Sequence, residues 1–243
     1  MTKKQKKKRL KLLIGIAAGL LLIAAGLFLN VFFAHRVRPL SQETLDQLDL
    51  SQTDKLMIVA HPDDEVLWGG GHLLDGGYLV ICVTNGRDRT RAAEFRKAVT
   101  MTGNIPLILD YPDKVNFLRD SWDSVREGIE ADLRRVIALK QWSLIVTHNQ
   151  DGGYGHIHHK LTHLLTVQAY DALRPDCPLY CFGKYYRAAV LPEYEATLER
   201  IPEETLKRKR EICRCYASQA DVIKKLGHML PYENWTLYRT NSQ

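Results

Sequence analysis

Acidic residues are missing from the first eleven positions, and that absence decides how the chain's charge is interpreted. The 243-residue chain carries a formal net charge of +6. Seven of its 34 basic side chains (Lys3, Lys4, Lys6, Lys7, Lys8, Arg9 and Lys11) lie in that acid-free tail, and removing them leaves 27 basic against 28 acidic residues. The basicity therefore belongs to a short tail and not to a binding face, and no nucleic-acid partner is expected.

Cysteine is also scarce. Cys82, Cys177, Cys181, Cys213 and Cys215 form an odd set, so at least one is unpaired within a monomer. No pair has the C-x₂-C spacing of a structural zinc half-site, which leaves core or surface thiols as the expectation. There is no G-x-G-x-x-G fingerprint; Gly69-Gly70-Gly71 lacks its spacing and is better suited to close packing at a helix start. Internal repeats and low-complexity stretches are absent beyond the lysine tail.

The tail runs into an almost unbroken apolar stretch from Leu12 to Phe33, with Asn30 its only polar residue. About 20 residues suffice to cross a bilayer as a helix, whereas the core of a cleavable signal is usually about 7–15 residues. The expectation is a basic cytoplasmic tail over residues 1–11 and a transmembrane signal anchor over residues 12–34. A cleaved signal is the alternative, with Ala34 offering a small residue after Phe32-Phe33. The lysines should stay cytoplasmic, placing the C-terminal domain outside the cytoplasm, although Arg36 and Arg38 oppose this. The protein is thus expected to be a single-pass membrane protein with an extracytoplasmic catalytic domain.

Residues 35–53, with Pro39, Ser41, Gln42 and Thr44, are expected to form a linker, and residues 54–243 the catalytic domain. From Asp54 onward strand and helix alternate. The apolar segments 55–60, 78–84, 106–109 and 143–147 suit buried strands. Residues 91–101 carry a helical stripe of Ala92, Phe95, Ala98 and Val99, and residues 121–140 suit a long amphipathic helix. A further strand is expected over 179–186 and a basic helix over 203–216. This order predicts an α/β fold: a Rossmann-like, doubly wound, mostly parallel sheet preceded by a transmembrane helix.

Two polar clusters follow strands. The first is Ala60-His61-Pro62-Asp63-Asp64-Glu65; the second runs from Thr147-His148-Asn149 through Asp151-Gly152-Gly153-Tyr154-Gly155 to His156-Ile157-His158-His159. Open α/β sheets bind ligands at the carboxyl ends of their strands, so neighbouring strands could bring the two clusters together. Imidazole and carboxylate suit zinc above all, and His61 and Asp64 with one histidine of the second loop would leave a position open for water. A further carboxylate beside the ion would be free to act as a base. Glu65 is expected to interact with the helix dipole instead.

The first cluster resembles the signature of the PIG-L/LmbE-like N-acetylglucosamine deacetylases, and His156-Ile157-His158-His159 resembles their H-x-x-H motif. Thr84-Asn85-Gly86, Arg91-x-x-Glu94 and Tyr216-Ala217-Ser218-Gln219 are similar to further elements of that family, so the likeness spans residues 55 to 225. It implies that His61, Asp64 and His159 hold one Zn²⁺, or another divalent ion. It also implies Asp63 as general base, His156 as acid or oxyanion-stabilising group, and Arg91 as the holder of the substrate's polar end. Where bacterial relatives often carry an aspartate, this chain has His158. Helix neighbours point about 100° apart, so His158 is not expected to share the ion of His159.

The implied activity is zinc-dependent removal of the N-acetyl group from an N-acetylglucosamine-containing glycan or glycoconjugate, releasing acetate and a free amine. Two alternatives are another metal hydrolase, such as a phosphoesterase with two ions, and a non-catalytic glycan-binding module. Composition fixes neither the oligomeric state nor the glycan.

Overall fold

Leu56, Met57, Ile58 and Val59 have no exposed surface, because β1 (Lys55–Val59) lies inside a sheet covered on both faces. The computed structural model describes residues 2–240. Strands β2 (Tyr78–Thr84) and β3 (Ile105–Tyr111) extend the sheet on one side of β1. A small antiparallel hairpin, β4 (Lys114–Val115) and β5 (Leu118–Arg119), stands apart from it. On the other side come β6 (Leu144–Thr147), β7 (Leu179–Cys181) and β8 (Thr236–Arg239), giving the order β3-β2-β1-β6-β7-β8. Pairing is parallel except between β7 and β8. The expected mostly parallel α/β sheet is therefore what forms.

The chain turns from β1 to β2 on one side and later adds β6 on the other, so a crevice opens beyond the carboxyl ends of β1 and β6. Alternate residues of the strands feed two cores. Leu56, Ile58, Leu79 and Ile81 face α5 (Arg126–Ile137) and α6 (Ile157–Leu173). Met57, Val59, Val80 and Cys82 face α3 (Asp64–Leu73), α4 (Arg89–Met101) and α8 (Glu203–Cys213). All five cysteines are buried and unbridged, so they are core thiols.

Helix α1 (Lys3–Ala34) joins the lysine tail and the apolar run in one element, capped by Thr2, whose side chain accepts from the Gln5 N–H. Among the described residues it is the one helix long and apolar enough to cross a membrane, and none of its apolar window is buried in protein. The segment expected to be a linker does not run free. It contains α2 (Gln42–Asp46), and Leu40 and Leu45 insert into the core beside α5. Asp132 accepts the Leu40 N–H at 3.0 Å, so residues 35–53 are bound to the domain by packing as well as by the backbone.

Several boundaries differ from the sequence expectation. Helix α5 begins at Arg126, because Trp122 takes φ 60° and buries its ring, donating to the Pro112 carbonyl at 2.7 Å. Asp88 caps α4 two residues early by accepting the Thr90 and Arg91 N–H groups. Strand β7 stops at Cys181, and Asn149 takes the next two carbonyls, those of Phe182 and Gly183. Helix α8 ends at Cys213, three residues before Tyr216. The glycine triplet packs closely as expected. A Cβ on Gly70 would lie 2.9 Å from Lys209 Cγ, and one on Gly71 2.9 Å from Glu233 Oε2.

Candidate active site

The backbone leaves β1, passes His61 and Pro62, and enters α3 through Asp63 at φ 105°. This left-handed conformation is uncommon for a non-glycine residue and is held here by its neighbours. The Asp63 N–H donates to Glu65 Oε2 at 3.1 Å, and the His61 N–H donates to Asp64 Oδ2 at 2.8 Å. Asp63 and Asp64 thereby point apart, although they are adjacent in sequence.

Asp64 is the hub. Its Oδ2 lies 3.2 Å from His61 Nδ1 and 3.4 Å from His148 Nε2, while its Oδ1 lies 3.1 Å from His159 Nε2. Burial works against its charge, yet His159 and His148 hold its carboxyl well below the usual range. His148 comes from the end of β6, and its Nε2 accepts the Ala60 N–H at 3.0 Å. That acceptance fixes the proton on Nδ1. Burial and the neighbouring His159 push the ring down to about 3, so it is neutral.

His61, Asp64 and His159 each offer a ligand atom, all within 4.8 Å of one another. Both ring nitrogens of His159 are buried without a hydrogen-bond partner, because its contact with Asp64 is not aligned as a hydrogen bond. A buried imidazole so placed lacks the bond such groups normally make. Two imidazoles and a carboxylate with an orphaned nitrogen fit a divalent metal ion such as zinc.

Beside this set lies Asp63, pushed up to about 7 by burial and by the Asp64 charge, against the opposing pull of Arg91. Arg91 Nη2 sits 3.5 Å from Asp63 Oδ2 and also donates to the Pro62 carbonyl. As it stands, Arg91 braces the Asp63 turn from the rim of the cleft. Glu65, expected to serve only the helix end, is fully buried and accepts from the Tyr216 hydroxyl. Burial raises it to about 8, with Tyr216 opposing.

The second cluster caps α6. His156 Nδ1 accepts the His158 N–H at 3.2 Å, so Nε2 carries the proton and can donate into the cleft. Burial and the nearby His61 charge push His156 down to about 2. It is thus a neutral donor, a form that suits oxyanion stabilisation. His158 stacks on Trp122 with ring centroids 4.1 Å apart, and its Nδ1 lies 3.1 Å from His61 Nε2. It is not part of the His61, Asp64 and His159 group but does meet His61, and His61, His156 and His158 form a second possible donor group.

Asp113, between β3 and the hairpin, was not singled out in the sequence. Its Oδ1 lies 3.3 Å from His61 Nε2 and 3.4 Å from His158 Nδ1. Burial disfavours its charge, but His158 and His61 outweigh this and hold it far below the carboxylate range. The same balance, with Asp113 and Asp64 prevailing over burial, pushes His61 up to about 9. The cleft, of about 680 Å³, is lined by His61, Asp63, Arg91, Tyr154, His156 and Gln219 among others.

The sequence model of the PIG-L family, described as GlcNAc-PI de-N-acetylase, matches residues 56–170 and so covers both clusters. Over that stretch the chain is similar to the PIG-L family. Uncharacterized protein L374 of Acanthamoeba polyphaga mimivirus is 28% identical over 209 residues, 79% of this chain and 83% of its own length. Among solved structures, the A40926 pseudoaglycone deacetylase Dbv21 shares 22% identity at a TM-score of 0.53, over 71% of this chain and 85% of its own. The N,N'-diacetylchitobiose deacetylase from Pyrococcus horikoshii shares 16% at 0.56, over 79% and 86%. A deacetylase of the teicoplanin biosynthesis pathway shares 15% at 0.56, over 72% and 89%. At these identities the structural likeness concerns the fold. The PIG-L match covers the site itself.

Proposed function

We propose that this protein is a PIG-L-type, zinc-dependent amidohydrolase that removes the acetyl group from an N-acetylglucosamine-containing glycan or glycoconjugate. The observation that carries this reading is Asp63, a carboxylate poised near neutrality and left outside the His61, Asp64 and His159 donor set. These three residues would hold the ion, which when bound supplies Lewis acidity and a more acidic water. Asp63 takes the proton of the attacking water and returns it to the departing amine. His156 Nε2–H donates to the oxygen that becomes negative in the tetrahedral intermediate. His148 and Asp113 orient Asp64 and His61, and Arg91 fixes the backbone turn that presents Asp63.

Helix α1 would anchor the enzyme in a membrane, with the lysine tail cytoplasmic and the catalytic domain on the other side. The test is acetate release from N-acetylglucosamine conjugates by the full chain. Activity should vanish on chelation and return with one zinc per chain. Activity that survives complete metal removal would overturn the reading, and a requirement for two ions would favour the phosphoesterase alternative.

A further inference from the structure

Phe117 is 97% exposed at the tip of the β4–β5 hairpin, and Leu118 beside it is 73% exposed. The two turn residues, Asn116 and Phe117, take φ 50° and 67°. Two-residue turns with both φ positive favour Asn-Gly, and a bulky aromatic in the second place is a conformational outlier. The strain places the ring in solvent, where no protein group covers it.

The hairpin's position explains what could cover it. Asn30 Nδ2 donates to Asn116 Oδ1 at 2.7 Å, and Asn116 Nδ2 donates to the Leu27 carbonyl at 3.2 Å. The one polar side chain of the apolar run is thus paired with the turn of the hairpin. Leu27 and Asn30 precede the α1 terminus at Ala34 by about 10 and about 6 Å, at roughly 1.5 Å per residue. Interfacial apolar segments enter a bilayer by about 5–10 Å. The tip therefore shares its depth with the headgroup and acyl boundary of any bilayer that α1 spans. Arg87 donates to the Phe33 and Arg36 carbonyls at 2.9 and 2.5 Å, and His35 meets Asp120 at 2.8 Å, so helix and domain are fastened together there. Lys114 and Arg119 bracket the tip, as basic residues commonly bracket apolar membrane segments. Both also line the catalytic cleft, whose wall includes Ala34 at the end of α1.

We propose that the Lys114–Arg119 hairpin is a second membrane contact, whose Phe117–Leu118 tip enters the lipid interface beside α1 and holds the mouth of the cleft at the bilayer surface. This rests on α1 being a membrane anchor. Two points of attachment fix the tilt of the domain, which a single helix leaves free to rotate. The catalytic centre then works within reach of the headgroup layer.

The test uses the full chain in vesicles of phosphatidylcholine and phosphatidylglycerol, with single cysteines carrying a polarity-sensitive fluorophore; the native thiols are buried. Ile23→Cys in α1 reports the anchor and should be quenched by lipids bearing a nitroxide deep in the acyl chain. Phe117→Cys should be blue-shifted and quenched several-fold by shallow nitroxide lipids, while Glu204→Cys on the exposed side of α8 should not. Because the dye could itself draw the tip into lipid, it is also placed at Lys114→Cys with Phe117 and Leu118 intact. Changing both to serine should then reduce quenching several-fold. Quenching at Ile23 without quenching at 117 would overturn the proposal and leave the anchor standing. No quenching at Ile23 would instead remove the anchor on which the proposal depends. An unquenched tip that becomes shielded as protein density rises would assign it to a second copy of the chain, and this too would overturn the proposal.

Discussion

The Tyr216 hydroxyl donates a hydrogen bond to Oε1 of Glu65, joining positions 151 residues apart at the heart of the site. Glu65 Oε2 in turn accepts the N–H of Asp63, the residue held at φ 105°. One turn further on, Ser218 donates its N–H and hydroxyl to Glu94 at 2.8 and 2.6 Å. The C-terminal Tyr216-Ala217-Ser218-Gln219 segment thus braces both the Asp63 turn and the helix that carries Arg91. Tyr216→Phe keeps the ring and removes the donor, leaving a fully buried carboxyl with one partner fewer. Leaving such a group unsatisfied costs about 1–3 kcal/mol. Urea unfolding should show that loss, and kcat should fall with KM little changed because Asp63, the proposed general base, loses its brace.

Asp63→Asn tests the proposed base itself. The amide keeps the volume and one oxygen but cannot take a proton from water. A general base is typically worth about 10²–10⁴-fold in rate. Acetate release should fall by that factor while the zinc content of the purified protein stays at one per chain. As the proposed base, Asp63 must be ionised, so the rate should fall on the acid side of its pKa, which without a metal lies at about 7. A bound cation favours the carboxylate and shifts that limb lower. An unchanged rate in the variant would remove Asp63 from the mechanism.

The two histidine groups make different predictions for metal binding. His159 has two buried ring nitrogens without a hydrogen-bond partner, whereas His158 already meets Asp120 and lies close to Asp113. His159→Ala should abolish stoichiometric zinc binding in equilibrium dialysis, and His158→Ala should retain it. Zinc at a hundred times its Kd should stabilise the wild type by about 2.7 kcal/mol and leave His159→Ala unmoved. If His158→Ala lost the ion and His159→Ala kept it, the ion would belong to the His61, His156 and His158 group.

The candidate site was legible because its polar side chains are crowded into two short runs after apolar strands. His61, Asp63 and Asp64 are near neighbours, and one turn of helix separates His156 from His159. Buried parallel strands were legible for a related reason: residues such as Met57 and Ile58 must be apolar on both faces. Asp113 gave no such signal. It is a single acid in a Pro-Asp-Lys turn, and only the folding of β3 past the end of β1 brings it to His61. Leu40 and Leu45 were hidden similarly, as two apolar residues in a polar segment whose burial depends on α5 being alongside. Glu65 looked like an ordinary first-turn acid because its partner, Tyr216, lies in another element. Local pattern reports which residues are apolar or reactive; long-range pairing decides what each of them meets.

Lys209 and Glu233 form a buried ion pair at 2.5 Å, and its pH dependence provides a final test. The pair occupies the space above the glycine triplet. Lys209 Nζ donates to the Leu67 carbonyl at 3.0 Å, and Glu233 Oε1 accepts the Gly71 N–H at 2.7 Å. Burial alone would raise the Glu233 carboxyl, but Lys209, followed by His72, brings it from 4.5 down to about 2. A depressed carboxyl contributes stability that is complete above its unfolded value and is lost as pH falls through its folded value. The shift corresponds to about 3 kcal/mol at 1.36 kcal/mol per unit. Glu233→Gln should cost about 3–5 kcal/mol near pH 7, because Lys209 is left buried without its counter-charge. Urea midpoints at a series of pH values should show wild type and variant converging between about pH 4.5 and 2. A gap that stays constant across that window would mean that Glu233 stabilises the fold by shape and hydrogen bonding, not through its charge.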